Sequence, residues 1–348
     1  MSISITLHIG TPKTGSTSLQ QLIAVNSNLL ESQGIHSCHE LGGQNHVDLF
    51  LACLHPNEGG YGILEARGIL GEQQRQQFKD QVASTVRAIA ASARSRSENT
   101  ILLATSEYFW FLHSEVHFRR LTQIFADADV KLNRLIVYFR HQAELLNSAL
   151  STMVRDGFAV NQIRTEMLEQ HEFQYLKYHE RLLNWIHWFP GVEVNAYPYN
   201  QHNQDLLEHF MAVLGVKSFE KPKIDRLNCS LSDFAIDLLS HLNARTVGDL
   251  SISEELARVH ASPDRARLLS ILDRLFIGQP SITPELVVAI DSYCAAENKA
   301  LFGRFMPGVD YETFLLKKNL ASRPLDRSNY PPQLVALVAE LVEELMNK

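Results

Sequence analysis

The chain has 348 residues, of which 45% are apolar and 20% are charged. This composition is typical of a globular protein and speaks against a disordered or fibrous one. The formal net charge of −7 argues against a protein whose main task is to coat nucleic acid or an anionic membrane. A local basic pocket is still compatible with that charge.

Cysteine usage and the first residues bear on the compartment. The four cysteines are far apart and form no C-x-x-C pair, so neither a zinc site nor a disulfide framework is indicated. The first ten residues lack the basic and apolar regions of a signal peptide. No apolar run approaches the roughly 18 residues of a membrane span. We therefore expect a cytoplasmic protein that has no membrane span.

Strand patterns alternate with helical patterns in the first part of the chain. The β-rich runs cover residues 3–9, 100–105, 134–139 and 192–197, and helical spacing marks residues 78–89, 118–125 and 176–189. Such alternation predicts an α/β fold in which helices cover both faces of a mostly parallel sheet. After Pro198 the patterns are helical. We expect an α/β core over residues 1–235 and a helical region over residues 236–348 that packs on it.

A glycine-containing loop separates the first strand from the first helix. Residues 10–17 read GTPKTGST, and backbone N–H groups at such a helix start favour an anion. Four hydroxyls add donors there: those of Thr14, Ser16, Thr17 and Ser18. The pattern G-x-x-x-x-G-K-[ST] is matched in its glycines, but Ser16 takes the place of its lysine, and Lys13 lies within the loop. The segment predicts a phosphate site that is poorly suited to ordinary ATP hydrolysis; a simple Ser/Thr-rich helix cap is the alternative.

The segment Pro12-Lys13-Thr14-Gly15-Ser16-Thr17 resembles the first motif, P-K-[TS]-G-[TS]-[TS], of the sulfotransferases that use 3′-phosphoadenosine 5′-phosphosulfate. The resemblance implies a three-layer fold of the P-loop type. It also implies that this loop, together with Ser18, holds the 5′-phosphosulfate. Lys13 would contact the oxygen that bridges phosphate and sulfur, and no metal would be required.

A second motif follows a later strand. Arg140 ends the run at residues 134–139, where open α/β sheets place ligand sites, and its guanidinium suits bidentate bonding to phosphate. In the same family an arginine and a serine eight positions later bind the ribose 3′-phosphate, which implies that role for Arg140 and Ser148. The Asn-Pro that follows the arginine in many animal enzymes is absent, as in bacterial members. The alternatives are a structural ion pair for Arg140 and an ordinary helix serine for Ser148.

A third stretch, residues 226–232, reads RLNCSLS and is similar to an R-x-N-x-S-L-S stretch of bacterial relatives. That similarity implies contacts from Asn228 and Ser230 to the nucleotide side of the donor. A helix N-cap that uses Ser230 or Ser232 explains the same residues equally well.

Transfer to a hydroxyl also needs a base. Glu107 directly follows the run at residues 100–105, resembles an S-E step of bacterial and glycan-modifying relatives, and is the first candidate. Tyr108, Phe109 and Trp110 would supply the apolar wall that a carboxylate base needs near neutral pH. Alternatively, Glu107 caps the next helix or pairs with an arginine.

Two histidines are further candidates for the base. His46 occupies an Asn-His step that relatives share, and there it would contact the substrate or take the proton; His113 is the other. With 15 histidines in the chain, any single one is more often structural than catalytic.

Together these residues predict a sulfotransferase that leaves adenosine 3′,5′-bisphosphate as product. The acceptor would be a hydroxyl-bearing molecule, and the bacterial resemblance favours a carbohydrate or a lipid-linked sugar. The helical region would shape the acceptor cleft, and no nucleic-acid partner is expected. Two other functions stay open: a P-loop kinase that uses ATP and Mg²⁺, and a non-catalytic nucleotide-binding module.

Overall fold

The computed structural model describes a defined set of residues: 2–58, 60, 62–97, 99–160, 168, 171–202, 204–223, 231–246, 263–275, 282–311, 314, 335, 338–339 and 342. Its strands are β1 (Ile3–His8), β2 (Ile35–Ser37), β3 (Ile101–Thr105), β4 (Val130–Phe139) and β5 (Glu193–Pro198).

Helices connect and follow these strands. In chain order they are α1 (Ser16–Val25), α2 (Ser27–Ser32), α3 (Val47–Cys53), α4 (Ile63–Ala66), α5 (Glu72–Arg96), α6 (Glu115–Asp127), α7 (Gln142–Arg155), α8 (Tyr178–Trp188), α9 (Tyr199–His202), α10 (Leu206–Val213), α11 (Asp233–Thr246), α12 (Pro263–Leu275) and α13 (Pro284–Phe305). Short 3₁₀ helices cover Gly43–Asn45, Glu107–Phe111 and His171–Leu176.

The five described strands form one sheet in the order β2-β3-β1-β4-β5, and every neighbouring pair is parallel. The predicted α/β class with a parallel sheet is confirmed. The sequence did not indicate β2, because three residues are too few to show strand alternation. Parallel strands end at the same edge, so the segments that follow β1, β3, β4 and β5 come together there.

Apolar side chains cover both faces of the sheet. On one face Ile3, Ile5 and Leu7 of β1 join the larger core, which also contains apolar residues of α3, α5, α6 and α8. On the other face Leu103, Ile136 and Tyr138 pack with apolar residues of α1 and α10. Burying one such aliphatic side chain contributes about 1.5–3 kcal/mol. The sheet is therefore the middle layer of three.

Helix α13 packs against the α/β core. The side-chain amides of Gln142 on α7 and Asn298 on α13 exchange two hydrogen bonds, of 2.6 and 3.0 Å, and both residues are buried. A buried amide pair of this kind fixes the position of one helix on the other, because separating them would leave unsatisfied polar groups. None of the described helices combines the length and apolarity that crossing a membrane requires.

Candidate functional site

The loop between β1 and α1 is tied to the end of β4. The backbone N–H of Thr11 donates to the carbonyl of Tyr138 at 2.9 Å, and the N–H of Tyr138 donates to the carbonyl of Gly10 at 2.9 Å. Within the loop, the hydroxyl of Thr14 donates to the carbonyl of Thr11 at 2.6 Å. These bonds hold the loop beside Arg140, which follows β4 directly.

Lys13 has an unusual backbone conformation and a defined side-chain contact. Its φ of +62° lies in the left-handed region, which costs a residue with a side chain roughly 1–2 kcal/mol. Its Nζ donates to Oγ1 of Thr152 on α7 at 2.9 Å. Burial, followed by repulsion from Arg140 and Arg155, lowers the pKa of Lys13; Glu107 and Asp156 oppose the shift. A bound anion would relieve this crowding of positive charge.

The start of α1 faces the same loop. Its N-cap is Gly15, which has a φ of +79° and no side chain that could cap the helix. The first N–H groups of a helix have no intrahelical partner, so this end favours an anion. Of the predicted hydroxyl residues, Thr14 and Ser16 are buried, Ser18 is half-buried and Thr17 is exposed, while Pro12 before them is half-buried.

Arg140 touches the loop and an acidic side chain. Its Nη1 donates to the carbonyl of Lys13 at 3.2 Å. Its Nε lies 3.5 Å from Oε2 of Glu144, so the ion pair considered above as an alternative is present. The guanidinium also lies 5.8 Å from the ring centroid of Tyr199 at the end of β5. The two basic residues predicted to share one ligand thus lie at one edge of the sheet.

Ser148 lies on α7 between the two contacts just described. It follows Glu144 by four residues and precedes Thr152 by four, which places all three on one side of the helix. Four residues of α-helix rise about 6 Å. Half-buried Ser148 therefore stands one turn from the Arg140 contact and one turn from the Lys13 contact.

Glu107 follows β3 at the same edge. Its Oε2 accepts a hydrogen bond of 2.9 Å from Nε2 of Gln20 on α1. Ser106, whose hydroxyl accepts from the N–H of Tyr108, is the residue that caps the following 3₁₀ helix. The side chain of Glu107 is partly exposed. Its negative charge raises the pKa of Lys13 and so opposes the effect of burial. A carboxylate therefore faces the basic cluster.

The predicted apolar wall around Glu107 is only partly present. Phe109 and Trp110 point into the main core and are fully buried. Tyr108 is half-buried and stacks on Phe50 with 5.5 Å between ring centroids.

His46 contacts the last residue of β3, the strand that Glu107 follows. It is fully buried at the N-cap of α3, and its Nδ1 lies 3.1 Å from the carbonyl of Thr105. Its Nε2 is buried without a hydrogen-bond partner among the described residues. Burial lowers the pKa of His46 to about 4, so the ring is neutral at pH 7. The ring is therefore enclosed, and a role of His46 as a base stays a prediction.

His113 lies just beyond the 3₁₀ helix that begins at Glu107. Its Nδ1 is 2.8 Å from the carbonyl of Phe111, and its ring meets that of His117 edge-on at 5.1 Å.

Asn228 and Ser230 lie outside the described residues. The described chain resumes at Leu231, whose N–H donates to Oγ of Ser151 on α7 at 2.9 Å. The chain therefore passes close to α7 immediately after these two residues.

Several residues of the site were not predicted. Gln20, Glu144, Thr152 and Tyr199 all contact a predicted residue. Thr152 follows Ser148 by one helical turn, and that spacing could have identified it; Gln20 has no comparable sequence signal.

No protein-family model matches this chain, and comparisons with curated proteins and with solved structures also gave no match. The described residues contain no group of three or more His, Cys, Asp or Glu side chains that could hold a metal ion. The expectation that no metal is needed stays a prediction.

Proposed function

We propose that this chain is a sulfotransferase with a fold of the P-loop type, which transfers a sulfuryl group from 3′-phosphoadenosine 5′-phosphosulfate to an acceptor hydroxyl. One observation carries the proposal: Arg140 donates a hydrogen bond to the carbonyl of Lys13, although 127 positions separate them. Two motifs that resemble the two donor-binding motifs of one enzyme family therefore converge at one sheet edge.

The charges at this edge fit a ligand with anionic groups at both ends. Burial, followed by repulsion from Arg140 and Arg155, lowers the pKa of Lys13. Residues 12–18 would hold the 5′-phosphosulfate by N–H groups, hydroxyls and the Lys13 amine. Arg140 and Ser148 would hold the 3′-phosphate, and Asn228 and Ser230 would lie on the nucleotide side. When bound, the donor supplies the sulfuryl group and leaves as adenosine 3′,5′-bisphosphate.

Glu107 is the base that this geometry favours. Its Oε2 is occupied by Gln20, while Oε1 accepts no hydrogen bond from the described residues. The acceptor oxygen bonds to sulfur while its proton passes to Oε1. The bond from sulfur to the bridging oxygen breaks, and its electron pair stays on the departing bisphosphate. Lys13 stabilises the negative charge that develops on that oxygen.

We propose a carbohydrate or a lipid-linked sugar in the cytoplasm as the acceptor, with the carboxyl-terminal helices shaping the acceptor cleft. The attachment of α13 to α7 through Asn298 and Gln142 supports a shared wall, because α7 also carries Ser148 and Thr152.

Calorimetry with three nucleotides tests the proposal. Adenosine 3′,5′-bisphosphate should bind at least about 10-fold more tightly than adenosine 5′-monophosphate, since only the former gives Arg140 a 3′-phosphate to bind. Magnesium should not affect this binding. Tighter binding of ATP with Mg²⁺ would favour a kinase instead. Binding of the bisphosphate without consumption of the sulfuryl donor, across a panel of sugars, would favour a non-catalytic module.

A further inference from the structure

Gln20 connects the phosphate loop to the carboxylate that follows β3. It lies on α1 one turn after Ser16, is buried, and donates from Nε2 to Oε2 of Glu107 at 2.9 Å. The amide is thus carried by the same helix whose first turn faces the loop.

A backbone contact holds Glu107 from a second direction. Gly10, at the start of the loop, has a φ of +101°, and a Cβ built there would lie 3.4 Å from the Cα of Glu107. The loop backbone therefore packs directly against the backbone of Glu107. Gln20 holds the carboxylate of Glu107, and Gly10 allows the close approach of the Glu107 backbone. The loop and helix that follow β1 therefore position both the side chain and the backbone of Glu107.

We propose that Gln20 is a positioning residue for the base. This inference rests on the proposed function, in which Glu107 takes the proton of the acceptor. By holding Oε2, the amide limits rotation of the carboxylate and leaves Oε1 to face the acceptor. Because α1 also begins at the proposed phosphosulfate site, this one helix fixes the position of the base relative to the donor.

The chemistry of an amide suits this role better than that of a charged side chain. A lysine or arginine at position 20 would form an ion pair with Glu107 and reduce its basicity. A carboxylate there would repel the base or share a proton with it. The neutral N–H of glutamine orients the carboxylate without adding a charge.

Two variants separate positioning from simple packing. Gln20→Met keeps the length and helix preference of the side chain but removes the donor. Gln20→Glu keeps the shape and places two carboxylates within hydrogen-bond distance. Gln21→Ala is the matched control, since Gln21 is the next residue of the same helix and is not bonded to Glu107.

Kinetic measurements give the first readout. For Gln20→Met we expect kcat to fall about 10-fold while the KM for the donor is unchanged. A general base accelerates a reaction by about 10²–10⁴-fold, and this variant keeps the base but loses its positioning. For Gln20→Glu we expect the acid limb of the kcat profile to move up by about one pH unit or more, because neighbouring carboxylates share a proton. Affinity for adenosine 3′,5′-bisphosphate should stay within about 2-fold in both variants.

A second readout does not depend on turnover. In protein labelled with ¹³Cδ-glutamate, the Glu107 signal is identified by its loss in Glu107→Gln, and its titration is followed by NMR. The titration midpoint should rise in Gln20→Glu and stay unchanged in Gln21→Ala. If the wild-type protein consumes no donor, the proposed function fails while this titration still tests the contact. If both Gln20 variants leave the titration and the kcat profile unchanged, or if Gln21→Ala reproduces their effects, Gln20 does not position the base.

Discussion

The amine of Lys13 donates a hydrogen bond to the hydroxyl of Thr152 at 2.9 Å and so joins the loop after β1 to α7. The bond fixes the amine beside α7. Thr152 is a residue of α7, the helix that Arg140 precedes. The Thr152 hydroxyl therefore holds the Lys13 amine against the helix that follows Arg140, in addition to the bond from Arg140 to the Lys13 carbonyl.

Removing this hydroxyl should impair catalysis more than stability. Thr152→Val keeps the shape but removes the acceptor of the Lys13 amine, and we expect kcat to fall about 10-fold, since hydrogen bonds to charged groups contribute about 1.5–3 kcal/mol. Thr152→Ser should restore most of the rate. The control is Thr122→Val, because the hydroxyl of Thr122 bonds only to carbonyls of its own helix. Equal rates for all three variants would contradict a role for the contact.

Lys13 and Arg140 should affect different steps. Lys13→Ala should lower kcat by about 10²-fold or more, as losing one transition-state donor does elsewhere. It should weaken binding of adenosine 3′,5′-bisphosphate by less than it lowers kcat, because the former bridging oxygen stays on the 5′-phosphate of that product, where the N–H groups of the loop also bind it. Arg140→Ala should instead weaken binding of the bisphosphate by about 10-fold or more, through the lost charge-assisted bonds.

Calorimetry with the bisphosphate and initial rates with the sulfuryl donor distinguish these outcomes. Arg119→Ala is the control, since Arg119 is an exposed residue of α6 paired with Glu115. Small and equal effects of the Lys13 and Arg140 variants would reject the assignment of the site.

Replacing the proposed base should leave donor binding intact. In Glu107→Gln, kcat should fall by about 10²-fold or more, since a general base contributes 10²–10⁴. Calorimetry should give nearly the wild-type affinity for adenosine 3′,5′-bisphosphate. A rate close to that of the wild type would exclude Glu107, and the corresponding variants of His46 and His113 would then be measured.

Part of this site could be predicted from the sequence, because the two-residue alternation of apolar side chains along a strand is easy to recognise. Alternation located the ends of β1, β3 and β4, and the geometry of parallel sheets brings such ends together. The family resemblance singled out Lys13, Glu107 and Arg140, and their positions after strand ends predicted that they would lie at one edge of the sheet. Their proximity follows from topology alone and needs no knowledge of side-chain conformation.

The remaining contacts depend on how helices are rotated and how side chains pack. The bond from Gln20 to Glu107 requires one particular face of α1 to turn toward β3, and helix periodicity does not specify that face well enough. The burial of His46 was also not predictable. The segment before it is rich in glycine, which indicated a loop but gave no sign that the ring is enclosed against Thr105.

Buried His46 should make stability depend on pH. Its pKa is about 4 in the folded chain and 6.5 when it is exposed to solvent. Between these values the unfolded chain binds a proton that the folded chain does not. Stability should therefore fall as the pH drops from 6.5 toward 4, by up to about 1.4 kcal/mol per pH unit for this residue.

His46→Asn tests this dependence, because asparagine tolerates the φ of +49° at this position and does not titrate. Urea unfolding between pH 7 and pH 5 should give a shallower loss of stability than in the wild type. The same slope in both proteins would contradict the effect of burial on the pKa of His46. Loss of turnover in a stably folded His46→Asn protein would instead support His46 as the base.

Introducing a side chain at the N-cap of α1 should lower the stability of the protein. A Cβ at Gly15 would lie 2.5 Å from Cδ2 of Leu206 on α10, so Gly15→Ala must displace that side chain as well as adopt a φ of +79°. Gly34 is a matched control, because its φ is +78° and nothing lies within 4 Å of its built Cβ. Both alanine variants share the left-handed cost of about 1–2 kcal/mol. Gly15→Ala should lose roughly 1 kcal/mol more, owing to the overpacking.

Only Gly15→Ala should also weaken binding of adenosine 3′,5′-bisphosphate, because the displaced contact lies at the start of α1, where the proposed function places the 5′-phosphate. Urea unfolding and calorimetry measure the two effects. Adding Leu206→Ala to Gly15→Ala should restore nucleotide affinity, since it removes the atom that the new Cβ meets. Equal losses of stability and affinity in the Gly15 and Gly34 variants would show that close packing at the loop does not shape the nucleotide site.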